Sequence, residues 1–411
     1  MNGNDRSIIG FVMIAHATVH TYELAIPILL TVWLIEFSTT AATLGIVVSL
    51  GYGLFGLGAL PGGLLTDRFG SRTLIISSLA GMGASFVLLS LAPSIAMLAL
   101  ALCLWGIAAS VYHPAGLALI SNGVREQGRG FGYHGAAGNV GIALGPLLTA
   151  LLLLVFDWRT VALLLVIPTI IGIAIGFAIS FDERAAVSSA RTDGDGGLSL
   201  ASFLDDTRTL LTLGFAVVLV VVTFNGLYYR GLLTFLPEVL GDLLAAPLEN
   251  VDPEIEGPAG DEFDPARYVY AGLLLVGVLG QYAGGRLVDR VRPEVGLAGV
   301  LLTLAATTLL FVPAASVGPV PFVLVGAILA FVLFSIQPMS QALVATYSDP
   351  EVRGLTFGYS YLAIFGFGAL GAAIAGAVLT YASLSVLFVL LAAFVFTSGG
   401  LSVWLALGNH S

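Results

Sequence analysis

The chain is a succession of apolar runs, each long enough to cross a lipid bilayer. A membrane-spanning helix needs about 20 mostly apolar residues, and the 411-residue sequence contains twelve such runs. They lie near residues 8–33, 41–64, 73–92, 95–121, 130–154, 160–180, 209–240, 267–288, 295–313, 319–346, 354–380 and 384–407. Because backbone groups in lipid must find partners within the protein, the runs predict an all-α membrane protein with twelve transmembrane helices.

Composition excludes other classes of protein. Charged residues make up 10% of the chain and hydrophobic residues 58%, whereas soluble domains carry roughly 25% charged residues. So few charges could not cover the surface of a soluble fold, which excludes a water-soluble enzyme, a nucleic-acid-binding protein and a disordered protein. All 15 basic residues are arginine and the formal net charge is −10. A lysine-free, acid-rich chain is typical of extreme halophiles and suggests a halophilic archaeal source.

Arginine positions predict the orientation, because cytoplasmic loops carry an excess of basic residues. With both termini inside, only Arg159 and Arg267 fall outside, and Arg230 lies within the seventh run. We therefore expect a multi-pass protein of the cell membrane with cytoplasmic termini. The loop at 241–266 has eight acids, four prolines and no base, and it then faces outward. Three tryptophans near the ends of runs predict anchors at the membrane interface: Trp33, Trp158 and Trp404.

The sequence also repeats itself at a nearly constant offset. Gly63–Arg68 follows the second run, and a similar segment, Gly285–Arg290, follows the eighth run 222 residues later. This repetition predicts two pseudo-symmetric six-helix bundles, 1–180 and 209–411, joined by a flexible cytoplasmic linker at 181–208. Bundles related by an axis along the membrane normal place a substrate site between them, near the bilayer midplane.

The segment that repeats resembles a signature of the major facilitator superfamily. From Gly63 to Arg72 it reads Gly, three residues, Asp-Arg, one residue, Gly and then a basic residue. The resemblance covers the whole chain and implies a secondary transporter that acts as a monomer. It also implies a cytoplasmic gate formed by Asp67, Arg68, Arg72, Asp289 and Arg290. In that gate Asp67 meets the start of span eleven near Gly354, and Asp289 meets the start of span five near Gly130.

A narrower resemblance is to the fosmidomycin-resistance branch of prokaryotic drug exporters. It rests on Tyr112-His113-Pro114-Ala115, Arg129-Gly130 and the run from Gly138 to Pro146, and on the spacing of His16, Tyr22 and Pro27. The resemblance implies that His113 and Asn139 take part in substrate binding. Gly141–Pro146 is also similar to the antiporter signature of the superfamily. At position 20, where that branch would have an acid, this chain has His20, with Glu23 three residues on.

The first run carries three ionisable groups, each of which costs about 2.5–3.5 kcal/mol to insert in a bilayer. His16, His20 and Glu23 follow i, i+4, i+7 spacing, which places them on one helix face. Histidine titrates near neutral pH, so this stripe predicts proton coupling. The alternative interpretation is a buried polar cluster that fixes span one to a neighbouring helix.

Arg230 is the only basic residue deep within a predicted span. It lies seven residues before Pro237, as His20 lies seven before Pro27, so the repeat places Arg230 at the depth of His20. Its partner is predicted to be Glu23 or an anionic substrate; the alternative is a permanent structural ion pair. Other polar groups within spans either bind a ligand or bond a neighbouring helix: Tyr22, Asn225, Tyr229, Gln281 and Gln337. His134 is expected at the membrane interface.

These features predict a transporter that moves a small organic solute by alternating access. Proton-coupled efflux by antiport is the first hypothesis, and import of a small organic anion by proton symport is the second. A transport-inactive membrane sensor or scaffold is the alternative from another class. The absence of a Walker-type loop, zinc-ligand cluster or nucleophile elbow argues against an ATPase or an intramembrane protease. The chain is not expected to be an enzyme, and no cofactor, metal or nucleic-acid partner is expected.

Overall fold

All regular structure in the described part of the chain is helical. The structure is a computed structural model that describes residues 1–186, 205, 207–248, 263–348 and 353–408. The unbroken spans are span 1 (Gly3–Glu36), span 3 (Ser71–Ser90), span 5 (Gln127–Leu153), span 7 (Leu213–Leu248), span 8 (Pro265–Val288), span 9 (Pro293–Val317), span 10 (Pro319–Thr346) and span 12 (Leu384–Leu407). The broken spans are span 2 (Ala41–Leu57 and Ala59–Phe69), span 4 (Ile95–Ser110 and Tyr112–Gly123), span 6 (Trp158–Leu164 and Ile167–Ala178) and span 11 (Arg353–Tyr361, a π-helical turn at Leu362–Phe367, and Leu370–Tyr381).

The predicted all-α membrane fold is confirmed. Eleven of the described spans are long and apolar enough to cross a membrane, and the two helices of span 2, bent by 47°, make a twelfth when they are counted together. Most of the predicted linker at 181–208 and of the predicted outer loop at 241–266 lies outside the described residues.

Short polar side chains set where several spans begin. The side chain of Asn2 accepts a hydrogen bond from the backbone N–H of Asp5 at 2.8 Å, and Asp157 caps the start of span 6 in the same way. Thr40 and Ser383 do so for spans 2 and 12. These oxygens satisfy backbone donors that the first helical turn leaves without partners, so the polar residues between apolar runs fix the boundaries.

Spans 1 and 5 approach each other closely along a glycine face. Built Cβ atoms at Gly141 and Gly145 would overlap the backbone of Ala17 and Thr21, so a larger residue would push the two helices apart. A Cβ at Gly138 would lie 2.5 Å from the ring of His16. The run from Gly138 to Pro146 therefore makes room for the polar face of span 1.

The two halves, spans 1–6 and spans 7–12, meet at the ends predicted to face outward. The N–H of Ala42 in span 2 donates to the hydroxyl of Thr380 in span 11 at 2.9 Å, and the Ser49 hydroxyl donates to the carbonyl of Ala369 at 2.7 Å. A Cβ at Gly45 would lie 2.6 Å from the carbonyl oxygen of Ala372. We call this line of contacts between spans 2 and 11 the outer seam.

Both helices of the outer seam are interrupted near their middle. Span 2 bends by 47° at Gly58, and span 11 makes its π-helical turn at Leu362–Phe367. The interruptions adjoin each other, because a Cβ at Gly56 would overlap the backbone of Gly366. π-Helical turns are rare and are frequent at functional sites, so this pair of interruptions marks the depth of the candidate site.

Two of the predicted interface tryptophans are buried. Trp33 is fully buried and Trp158 is 3% exposed, and their rings pack edge to face with centroids 6.0 Å apart. The prediction that they are membrane anchors is wrong, because they pack against each other inside the first half. Trp404 is 40% exposed, and its role as an anchor stays a prediction.

Candidate functional site

A buried ion pair joins the two halves near the middle of spans 1 and 7. Nη2 of Arg230, from span 7, lies 2.6 Å from Oε1 of Glu23, from span 1. Their side chains are 3% and 1% exposed. Among the ion pairs within the described ranges, this one connects the first half to the second. Two charges removed from water are stabilised only by good geometry and further hydrogen bonds, so their surroundings decide what the pair can do.

Aromatic rings surround the guanidinium of Arg230. Its Cζ lies 3.7 Å from the centroid of Tyr52 and 5.6 Å from those of Tyr229 and Phe365. The negative face of an aromatic ring attracts a cation, most strongly where water is excluded. Spans 2, 7 and 11 therefore stabilise the cation independently of Glu23, and the cation does not depend on one carboxylate alone.

A series of hydrogen bonds leads from Glu23 along span 1. Oε2 of Glu23 lies 2.6 Å from Nδ1 of His20, and Nε2 of His20 lies 3.1 Å from Nε2 of His16. Nδ1 of His16 lies 2.7 Å from the backbone carbonyl oxygen of His134 in span 5. The i, i+4, i+7 spacing produces this arrangement, because those positions stack on one helix face. We call His16, His20 and Glu23 with their connecting hydrogen bonds the span 1 relay.

Four of the five histidines lie in this relay or directly beside it. The ring of His134 stacks on His16 with centroids 3.7 Å apart, and His113 lies edge-on to His16 at 5.2 Å. His134 is 5% exposed, so the prediction that it lies at the membrane interface is wrong. Gly138 allows span 5 to lie so close to span 1 that the ring of His134 covers the ring of His16. The sequence signal was the position of His134 one helical turn before that glycine.

Three of these histidines form the group, within the described ranges, that could hold a metal ion. Ring nitrogens of His16, His20 and His113 lie within 4.8 Å of one another. The closest two, at 3.1 Å, already form a hydrogen bond, and both Nδ1 atoms of that pair have oxygen partners. The contacts that are formed are those of a site for a proton, and no metal is assigned to it.

A cavity of about 140 Å³ borders Glu23 and extends toward the predicted cytoplasmic ends of the helices. Span 1 contributes His20 and Glu23, and most of the lining comes from spans 7, 10 and 11. The lining residues with polar side chains are His20, Glu23, Asn225, Tyr229, Gln337, Ser340, Gln341, Ser360 and Tyr361. Thus an imidazole and a carboxylate lie on the wall from the first half, and amides and hydroxyls lie on the wall from the second.

Some of the polar groups in the cavity wall are held in place by neighbours. Asn225 accepts a hydrogen bond from the Ser398 hydroxyl at 2.8 Å and donates to Ser340 at 3.4 Å. The amide of Gln281 donates to Gln337 at 2.8 Å. Asn225 therefore bonds neighbouring helices and lines the cavity at once, and Gln281 reaches the cavity wall through Gln337.

Five of the predicted substrate-binding residues are not among those that line the cavity: Arg230, Tyr22, His113, Asn139 and Gln281. Tyr22 is fully buried, and its hydroxyl bonds Thr169 of span 6 at 2.5 Å, so it joins two helices of the first half. Asn139 is half-buried and is not among the residues that line the cavity. Conversely, the sequence did not single out Tyr52 or Phe365. No local pattern distinguishes an aromatic residue that covers a cation from one in the core.

The residues of the predicted cytoplasmic gate have different surroundings. Arg72 donates through Nε to the carbonyl of Gly176 at 2.8 Å, and through Nη2 to the carbonyls of Gly176 and Ile179. These bonds cap the end of span 6 and stay within the first half. The exposed residues of the gate have no cross-half ion pair within the described ranges: Asp67, Arg68, Asp289 and Arg290. The predicted contact of Asp67 near Gly354 lies outside the described side chains.

A cavity between two helical halves, bordered by the carboxylate of an ion pair that joins them, is the architecture of an alternating-access transporter. The chain belongs to the Major Facilitator Superfamily, whose family model matches residues 7–249 and 262–410. It is therefore a multi-pass membrane transporter and not an enzyme.

The chain is similar to two curated drug-resistance proteins and, among others, to a probable L-galactonate transporter of Escherichia coli, with 28% identity over 37% of this chain and 34% of that protein. It is 38% identical over 108 residues to the puromycin resistance protein of Streptomyces alboniger, a match that covers 26% of this chain and 22% of that protein. It is 26% identical over 339 residues to the fosmidomycin resistance protein of Escherichia coli, covering 79% of this chain and 74% of that one. A crystal structure of a bacterial homologue of the lysosomal transporter Spinster, at 14% identity, superposes with a TM-score of 0.76 over 99% of this chain and 97% of that chain. That likeness concerns the fold alone.

Proposed function

We propose that the chain exports a small organic compound in exchange for protons, and that Glu23 carries the coupling. The observation that carries the proposal is the position of Glu23 at the cavity wall, 2.6 Å from a permanent cation and 2.6 Å from a titratable imidazole. A carboxylate in that position controls, by its charge, the ion pair that joins the halves. Protonation neutralises Glu23 and removes its attraction for Arg230.

This contact can couple proton binding to movement of the halves. Glu23 belongs to span 1 and Arg230 to span 7, so an ionised Glu23 holds the halves together. A ligand shifts a conformational equilibrium only by its difference in affinity for the two states. A proton binds Glu23 more tightly in a state where the ion pair is broken than in one where it is intact. Proton binding therefore favours the broken state, in which the halves can rock about the site.

The composition of the cavity wall supports a small, polar but uncharged substrate or a weak base. Amides and hydroxyls of the second half are available as hydrogen-bond partners, and Tyr229, Tyr361 and Phe365 supply aromatic faces. The carboxylate of Glu23 is the anionic group in the lining. A compound that binds near it competes with the proton, and such competition is the basis of exchange. Two drug-resistance relatives support export over import.

Import of a small organic anion with a proton is the second candidate, and one feature of Arg230 favours it. Within the described ranges, the buried Nε of Arg230 has no hydrogen-bond partner. Once Glu23 is protonated, the guanidinium has a free planar fork of the kind that binds carboxylates and phosphonates. An anion would then replace Glu23, and proton and substrate would move in the same direction.

A flux assay in everted membrane vesicles separates these functions, with puromycin as the weakly basic probe and fosmidomycin, a phosphonate, as the anionic probe. Vesicles with an acidic lumen are prepared from cells that produce the wild type, Glu23→Gln or Tyr22→Phe. Antiport predicts that a transported probe raises the lumenal pH and accumulates inside, and that Glu23→Gln abolishes both effects. Tyr22→Phe is the matched control, because Tyr22 lies on the same helix away from the cavity, and it should retain them.

Opposite results identify the other functions. Symport predicts that the probe leaves acid-loaded vesicles together with protons. If flux of a transported probe is the same with and without the pH gradient, or in Glu23→Gln and wild type, the coupling role of Glu23 is wrong.

A further inference from the structure

The hydrogen bonds of the span 1 relay determine how many protons it holds. His16 Nδ1 lies 2.7 Å from a backbone carbonyl oxygen, which can only accept, so this nitrogen carries a hydrogen. A neutral imidazole has a single N–H, and Nε2 of His16 is then an acceptor. The neighbouring Nε2 of His20, 3.1 Å away, must therefore donate.

The other nitrogen of His20 can be satisfied in two ways. If Glu23 is ionised, Nδ1 of His20 donates to it and His20 is an imidazolium. If Glu23 is protonated, it donates to Nδ1 of a neutral His20. Both arrangements contain the same number of hydrogens, which is one more than an ionised Glu23 and two neutral histidines would contain. With one hydrogen fewer, two Nε2 lone pairs would face each other at 3.1 Å.

The surrounding charges oppose a second added proton. Another hydrogen on the histidine pair would place two N–H groups against each other, and one on Oε1 of Glu23 would face the guanidinium of Arg230 at 2.6 Å. The ionisable groups beside the relay are Tyr52 from span 2, Tyr112 and His113 from span 4, His134 from span 5, Tyr229 and Arg230 from span 7, and Tyr270 from span 8. Of these, the Tyr112 hydroxyl donates to the carbonyl of Val12 at 2.7 Å, so its hydrogen is not available to the relay.

We infer that His16, His20 and Glu23 share a single transferable proton, and that His16 is part of the proton site although it does not line the cavity. The inference rests on the proposed function, since it specifies where the coupled proton resides. Through His20 the proton can move between the histidine pair and Glu23 without crossing the cavity. When it is on Glu23, the contact with Arg230 is neutralised; when it is on His20, the ion pair between the halves is intact. The relay thus stores the proton in either of two positions.

A substitution of His16 tests this count without a substrate. In His16→Gln the side-chain amide offers both a donor and an acceptor to Nε2 of His20, so the relay is satisfied without the added hydrogen. We expect the wild type to retain about one more bound proton per molecule than His16→Gln near neutral pH, where histidine ordinarily titrates. The matched control is His134→Phe, which keeps the stacked ring and the backbone carbonyl. Because it retains His16, His20 and Glu23, its relay should hold as many protons as that of the wild type.

The measurement is potentiometric titration of full-length protein in lipid nanodiscs, combined with nitrogen-15 NMR of labelled histidine. EDTA is present throughout, because imidazole also binds transition metals. The spectrum should show His16 with hydrogen on Nδ1 and His20 with hydrogen on Nε2. Equal proton counts in the wild type and His16→Gln, after allowance for the His134→Phe control, would overturn the inference. So would a spectrum in which both Nε2 atoms lack hydrogen.

These outcomes are separable from those of the flux assay. If the relay lacks the shared proton but Glu23→Gln still abolishes proton-driven transport, the inference is wrong and the proposed function stands. If the proton is shared but the flux of the probe does not depend on the pH gradient, the proton site is correctly described and the proposed coupling is wrong.

Discussion

The contact between Glu23 and Arg230 predicts a specific pattern of stability in a double-mutant cycle. The variants are Glu23→Gln, Arg230→Gln and the double substitution. Each single change leaves one charge behind in a site where the side chains are only 1% and 3% exposed. Glutamine keeps hydrogen-bonding capacity at either position, so the change removes charge while retaining most of the volume at Glu23.

The expected magnitudes follow from burial. Removing one member of a buried ion pair costs about 3–5 kcal/mol, whereas replacing both members with neutral groups is often close to neutral. Two independent losses would therefore sum to about 6–10 kcal/mol, and the double variant should lose far less than that sum. The ring of Tyr52 at 3.7 Å from the guanidinium contributes up to about 2 kcal/mol in a desolvated site, which places Glu23→Gln at the mild end.

The assay is thermal unfolding of the three purified variants and the wild type in one lipid nanodisc preparation. The double variant should melt closer to the wild type than Arg230→Gln does. Arg230→Ala, and all three glutamine variants, should abolish proton-driven transport while the double variant still folds. Additive losses, with the double variant melting lowest, would refute the idea that the two charges stabilise each other. Full transport by Arg230→Ala would refute a role for the ion pair in the transport cycle.

Four further predictions concern the outer seam, the gate and the control residue. Gly45→Val should overpack the outer seam by about 1–3 kcal/mol and raise outward accessibility of a cysteine placed in the cavity; unchanged labelling contradicts this. Arg72→Ala should lower thermal stability because span 6 loses its cap, without changing that accessibility. Asp67→Asn should shift labelling toward the cytoplasmic side, and an unaltered pattern would remove it from the gate. Tyr22→Phe should cost about 0.5–1.5 kcal/mol by losing its bond to Thr169, with flux retained; a lost flux would place it in the transport path.

The sequence predicted the fold well because the constraint imposed by lipid acts locally. Each apolar run must form its own backbone hydrogen bonds, so helix type follows from composition within the run. The stripe of His16, His20 and Glu23 was also predictable, since helical spacing alone aligns the three positions. Pairing of Glu23 with Arg230 followed from the internal repeat, which relates the depth of span 7 to that of span 1.

Tertiary contacts were harder to predict because they depend on which helix faces meet. Tyr22 is one residue from Glu23 in sequence, yet it turns toward span 6, since successive residues of a helix point about 100° apart. Tyr52 and His134 join the site only because spans 2 and 5 pack beside span 1. The burial of Trp33 against Trp158 has the same origin, as a residue near a helix end can still face a neighbouring helix.

The paired interruptions in spans 2 and 11 divide these helices into portions that need not move together. On one side of the bend at Gly58, the seam is fastened by backbone contacts with glycine and by the Ser49 hydroxyl. A π-helical turn has already given up the regular hydrogen-bond ladder, so flexing at Leu362–Phe367 breaks few additional bonds. Reorientation of the inner portions would therefore leave the outer seam closed. On this arrangement, opening toward the cytoplasm would break few contacts, whereas opening toward the outside would have to separate the outer seam.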